Sequence, residues 1–201
     1  MSTTRTGKLA VGFRRMGWAW NKDLDGMLTW ARGNGFSAVD IGKDGDTAAP
    51  AVLKAGLQVG SVDLAVWQGM ISPDKATRDA ALAKNTDYIN ACSKVIQHAN
   101  YFLVMLPEKS ALPREENFRY MVESFSLLAP VLEKTGGKLV IEGWPGAGAL
   151  CCTPEGYRAF FKQCPSGSLG INYDPSHLIR MDIDPLRFLD EFAGRVYHVH
   201  G

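Results

Sequence analysis

The chain has almost no excess of charge. Its 22 Lys and Arg nearly balance its 21 Asp and Glu, for a formal net charge of +1 over 201 residues. That balance gives no grip on nucleic acid or on an anionic membrane surface, so neither is expected as a partner. Long hydrophobic runs are missing too, and none reaches the roughly 18 residues needed to span a bilayer. Residues 1–8 are polar and hold no hydrophobic signal core, so secretion is not expected and a cytoplasmic location is. The four cysteines, Cys92, Cys151, Cys152 and Cys164, have the spacing of neither a zinc motif nor a disulfide framework. They read as reduced thiols, and the Gly-rich loop around Cys151-Cys152 favours exposure of that pair. No G-x-G-x-x-G follows the first strand, which removes support for a dinucleotide-binding fold.

Histidine is scarce but unevenly placed. Of the 4 histidines, His177, His198 and His200 all lie after position 176. The remaining one, His98, falls late in a long helical stretch, where it favours the helix dipole and needs no chemical role.

What is present is a repeating strand–helix pattern in a chain that is 46% hydrophobic, enough to bury one sizeable core. Strands are expected over residues 8–13, 36–41, 57–66, 101–106, 138–142, 169–173 and 195–200. Helices are expected between them. Asn21 caps one that ends near Asn34-Gly35, and Thr47 caps a short one that stops at Gly56. Ser72-Pro73 opens a long helix to about Ala99. Residues 114–135 form another, stopped by Gly136-Gly137 and kinked or shortened near Pro130. Thr153-Pro154 and Asp184-Pro185 open the last two. Such alternation implies right-handed crossovers and a parallel sheet. Functional-looking residues recur at the ends of several strands, which favours a (β/α)8 barrel over an open doubly wound sheet. The expectation is a single domain over 1–201, with the barrel truncated after its seventh strand and the last βα unit missing.

Glu142, Asp174 and His200 each follow or end an apolar strand. In a barrel those ends converge on one mouth, so residues far apart in sequence can meet there. Two carboxylates and an imidazole suit one divalent cation, Mn2+, Mg2+, Co2+ or Zn2+. His198 and His200 share a strand face, and either can be the ligand; His200 is preferred as nearer the carboxyl end. Asp174-Pro175-Ser176-His177 places a second imidazole just past a strand end, where His177 can reach a substrate oxygen. Trp18, Trp67 and Trp144 follow the first, third and fifth strands, and their faces can pack on sugar C–H surfaces. Asp40 and Asp63 lie in the second and third strands and can bind hydroxyls; Glu108 and Arg180 are weaker substrate-binding candidates.

Residues 169–177 (LGINYDPSH), then Asp182-Ile183-Asp184-Pro185, then residues 195–201 (RVYHVHG), together with Glu142, resemble the xylose-isomerase-like barrel superfamily, in its sugar phosphate isomerase/epimerase group. The similarity is strong over residues 138–201 and diffuse before them. The resemblance implies one divalent metal, with Mn2+ favoured, held by Glu142, Asp174, His200 and a second Glu at the end of an eighth strand. It gives His177 the substrate-facing role and makes Glu142 a catalytic acid/base. It implies isomerisation or epimerisation of a keto-sugar or sugar derivative through an enediolate. Alternatives are a lyase or hydratase with the same site, an abasic-site endonuclease, and a non-catalytic fragment. Barrels of this kind often associate, so a homo-oligomer is expected.

Overall fold

Leu139, Val140 and Ile141 are all fully buried, which happens only to a strand covered on both faces. The computed structural model, which describes residues 9–17 and 22–201, shows what covers them. Strands β1 (Gly12–Arg14), β2 (Ala38–Asp40), β3 (Gln58–Val59), β4 (Val62–Asp63), β5 (Asn100–Val104), β6 (Lys138–Glu142), β7 (Leu169–Tyr173) and β8 (Val196–Val199) follow one another in sequence. Every pairing is parallel and joins consecutive strands, in the orders β1-β2-β3 and β4-β5-β6-β7-β8. The third expected strand is therefore broken at Gly60-Ser61 into β3 and β4. Backbone hydrogen bonds from Ile41 to Ser61 (3.1 Å) and from Asp63 to Gly42 (2.8 Å) carry the wall across the break. The result is a curved (β/α) barrel wall. Among the described residues β1 and β8 are its two edges.

Helices α1 (Leu24–Gly33), α2 (Gly45–Lys54), α3 (Lys75–Cys92), α4 (Arg114–Thr135), α5 (Pro154–Gln163), α6 (Pro175–Arg180) and α7 (Pro185–Phe192) lie between the strands. Their boundaries follow local capping chemistry. Asp23 caps α1 by accepting from Gly26 N, whereas the cap expected at Asn21 lies outside the described residues. Asp74, not Ser72, caps α3, because its carboxylate takes both Ala76 N and Thr77 N. That helix ends at Cys92, well short of Ala99, and His98 sits at φ 58 in the turn that follows. Thr47 lies inside α2, which starts after Asp44. Helix α4 continues past Pro130 to Thr135, so the expected shortening does not occur; it stops at Gly136, whose φ of 70 suits glycine. Thr153, Asp174 and Asp184 each cap a helix whose first turn holds Pro.

Outward-facing strand residues such as Tyr101, Leu103, Leu139, Ile141 and Ile171 pack against the helices in one large core. Inward-facing Phe102, Val104 and Val140 form a smaller cluster, with Trp67, Leu106 and Tyr197 against it. Cys151 and Cys152 are buried, contrary to the exposure expected of a Gly-rich loop, because Arg114 binds the carbonyls of Ala149 and Leu150 and ties the loop to α4. Burial pushes both thiols above their ordinary pKa, which makes them poor nucleophiles. Among the described residues no helix is long and apolar enough to cross a membrane.

Candidate metal centre at the barrel mouth

Strand alternation puts Asp40, Glu142, Asn172 and His198 on the inner face at the carboxyl ends of β2, β6, β7 and β8. His200 and Asp174 continue that face just past their strands. Asn172 is the hub, with 1% of its surface exposed. Its Nδ2 donates to Glu142 Oε2 at 2.8 Å, and its Oδ1 accepts from His198 Nδ1 at 2.7 Å. His200 Nδ1 lies 2.7 Å from Glu142 Oε2, and its Nε2 lies 3.1 Å from Asp40 Oδ2. His198 Nε2 completes the network at 3.1 Å from Asp40 Oδ1.

The charges follow from this geometry. Burial disfavours a charge on His200, but hydrogen bonds to Asp40 and Glu142 outweigh it and push its pKa up to about 9. Burial likewise opposes ionisation of Asp40, yet hydrogen bonds from His198 and His200 hold its carboxyl well below the usual range. His200 thus stands between two carboxylates, with its Nδ1 also 2.9 Å from Asn172 Nδ2.

On the other side of Glu142, its Oε1 lies 3.4 Å from His177 Nε2, which is 3.5 Å from Asp174 Oδ2. Both separations exceed a good hydrogen bond, so these atoms converge without satisfying one another. Asp174 commits Oδ1 to the start of α6, accepting from Ser176 N at 2.9 Å and Ser176 Oγ at 2.6 Å. Its Oδ2 is left to face the cluster.

Among the described residues, two groups bring three ligand atoms within 4.8 Å of one another: Glu142, Asp174 and His177, and Asp40, His198 and His200. The expected set of Glu142, Asp174 and His200 spans both groups through Glu142. His177 stands beside Glu142 and Asp174 as well as in reach of a substrate. Carboxylate oxygens and imidazole nitrogens are the donors that a hard or borderline divalent cation takes, so the residues fit such an ion. Ligation by His200 requires loss of its proton.

The remaining expected residues scatter. Trp67 packs on the inner cluster, its ring centroid 5.7 Å from that of Phe102. Trp144 is partly exposed and folds over Gly146 in its own loop. Glu108 and Arg180 are exposed, the first in the loop after β5 and the second at the end of α6. Trp18 lies outside the described residues. Asp63 pairs with Arg14 Nη2 at 2.7 Å, and burial raises its pKa against the pull of that guanidinium. The sequence reading missed Asn172 and Arg14. Asn172 sits two positions before Asp174 and so on the same strand face, a signal of period two. For Arg14 the sequence carries no comparable sign. Phe102 was also missed, although it touches both Arg14 and His200.

A family model for the xylose isomerase-like TIM barrel matches residues 26–201. No curated protein matches the sequence. Among solved structures, the 3-keto-D-glucoside 4-epimerase of E. coli aligns with a TM-score of 0.78 at 15% identity, covering 96% of this chain and 78% of that one. An L-ribulose 3-epimerase aligns with a TM-score of 0.79 at 16% identity, covering 94% of this chain and 68% of that one. The IOLI protein, described with a binding zinc atom, aligns with a TM-score of 0.70 at 15% identity, covering 96% of this chain and 72% of that one. At such identities the likeness establishes the barrel fold.

Proposed function

The chain belongs to the xylose isomerase-like TIM barrel family, and from that membership we propose that it is a divalent-metal-dependent isomerase or epimerase of a keto-sugar or sugar derivative. The observation that carries this reading is the placement of Glu142, whose two oxygens face His200 on one side and the Asp174–His177 pair on the other. The described activities of aligned structures, a 3-keto-D-glucoside 4-epimerase and an L-ribulose 3-epimerase, support the same class.

Glu142, Asp174 and His200 would hold the ion, with Mn2+ the first choice. When bound, such an ion polarises a carbonyl as a Lewis acid. Glu142 takes the proton from the carbon next to the carbonyl. His177 donates from Nε2 to the oxygen that gains charge. Asn172 fixes Glu142 and His198 in register, so that neither rotates away from the mouth. Phe102, Val104 and Val140 keep water from the inner side. Isomerisation returns the proton from Glu142 to the neighbouring carbon, whereas epimerisation needs an acid on the opposite face of the sugar. The balanced charge supports a small sugar, not nucleic acid or a membrane, as partner.

The test is metal content of the purified protein by mass spectrometry, beside Glu142→Ala and Asp174→Ala. The reading expects near-stoichiometric Mn, Co, Zn or Mg that both variants lose. It also expects exchange of a ketose C–H proton with solvent deuterium, lost in Glu142→Gln. Absence of bound metal even in excess Mn2+ would refute it.

A further inference from the structure

Among the described residues, two buried N–H donors inside the barrel have no hydrogen-bond partner, and both belong to residues that touch one ring. Arg14 commits Nη2 to Asp63 Oδ1 at 2.7 Å, but its Nη1 is buried and unpartnered. Trp67 Nε1 is likewise buried and unpartnered. The Arg14 guanidinium carbon lies 4.5 Å from the Phe102 ring centroid, and the Trp67 ring lies 5.7 Å from it. His200 packs against that same Phe102 ring at 5.3 Å. The unpartnered donors therefore stand one aromatic ring away from the candidate metal centre.

We propose that Arg14 and Trp67 form a subsite that binds an anionic oxygen group of the substrate, so that the keto-sugar this protein accepts carries a carboxylate or phosphate. The proposal rests on the keto-sugar reading of the neighbouring centre. A buried donor without an acceptor costs stability, and a ligand oxygen recovers it. A carboxylate or phosphate offers acceptors only and forms charge-assisted bonds to guanidinium. Arg14 and Lys43, the latter 5.9 Å from the Trp67 ring, bring two cations to the carboxylates of Asp63 and Asp40, and Arg14 still has a free arm to offer an anionic oxygen. Lys43 also lines a cavity of about 320 Å3 with Lys22 and the Arg15–Asp44 ion pair. Asp63 holds one arm of the guanidinium, whose carbon lies over the Phe102 ring, and leaves the other arm for the substrate.

The experiment is calorimetric titration of the Mn2+-loaded full chain with D-fructuronate, D-fructose 6-phosphate and D-fructose. At least one of the anionic sugars should bind about tenfold more tightly than D-fructose, and the tighter of the two identifies the group. Trp67→Phe keeps the ring and removes the N–H; Arg14→Lys keeps the charge beside Asp63 and removes the fork. Each should bring the anionic and neutral sugars to within about twofold of one another. In both variants D-fructose binding and Mn2+ stoichiometry should stay at the parent's level, so misfolding cannot account for loss of the anion preference. Equal binding of all three sugars, no binding of any, or a preference that survives both substitutions overturns the proposal. Mn2+ stoichiometry, titrated separately, stays intact if only the subsite fails and is absent if the metal reading fails.

Discussion

Replacing Asn172 with Ala should do more damage than any other uncharged substitution at the barrel mouth. The side chain is fully enclosed and makes one bond to Glu142 at 2.8 Å and one to His198 at 2.7 Å. A hydrogen bond to a charged partner contributes about 1.5–3 kcal/mol, and a neutral one about 1 kcal/mol. Glu142 keeps His200 as a partner, so its loss falls at the low end. His198 Nδ1, in a part-buried position, loses the acceptor that Asn172 supplied. The two losses together come to about 3 kcal/mol. For a chain of this size that lowers Tm by about 6–12 °C. Residues that orient ligands typically change metal affinity by about 10–100-fold, and Asn172→Ala should weaken Mn2+ binding within that range. Urea unfolding of the metal-free protein and calorimetric titration with Mn2+ measure the two effects separately. An unfolding free energy within about 0.5 kcal/mol of the parent, together with an unchanged Mn2+ Kd, would show that Asn172 does not organise the site.

Other outcomes follow from the same contacts. His200 has a folded pKa near 9, above its unfolded value of about 6.5, so its stabilisation of the metal-free protein is fully present below about pH 6.5 and is lost as pH rises through 9. Urea midpoints should fall across that window by an amount equivalent to at most about 3 kcal/mol, and His200→Gln should abolish the slope. Mn2+ affinity should move the opposite way, rising with pH as the His200 proton ceases to compete; a flat titration would contradict the assigned ligand. Gly60→Ala should destabilise the protein and weaken Mn2+ binding together, because the new methyl group would run into Asp40 Oδ1 and meet His198 Nε2 at 3.3 Å. Tyr157→Phe should cost about 1 kcal/mol in chemical denaturation, since its buried hydroxyl donates to Ile141 O, the residue before Glu142.

Strand periodicity and turn chemistry made most of the barrel legible. The boundaries of β6, β7 and α4 follow directly from apolar runs and from Gly136, as do the Pro-containing starts of α5 and α7. The starts of α1 and α3 were misplaced because several Asn, Asp and Ser residues stand close together, and only backbone geometry decides which accepts from the first turn. The break at Gly60-Ser61 was invisible for a different reason. It responds to Asp40 and His198, residues distant in sequence that fill the space beside Gly60.

By itself the sequence determined the alternation of strand and helix, the parallel sheet and the set of carboxylates and imidazoles at strand ends. These are properties of short windows, where period, caps and turn residues act over a few positions. Tertiary structure alone decided which of those groups share protons and which stay unsatisfied. Asn172 joining Glu142 to His198, the double clamp on His200, and the unpartnered nitrogens of Arg14 and Trp67 each depend on residues brought together by barrel curvature. Burial, which sets the strength of every one of those interactions, is a property of the packed barrel and not of any window of the chain.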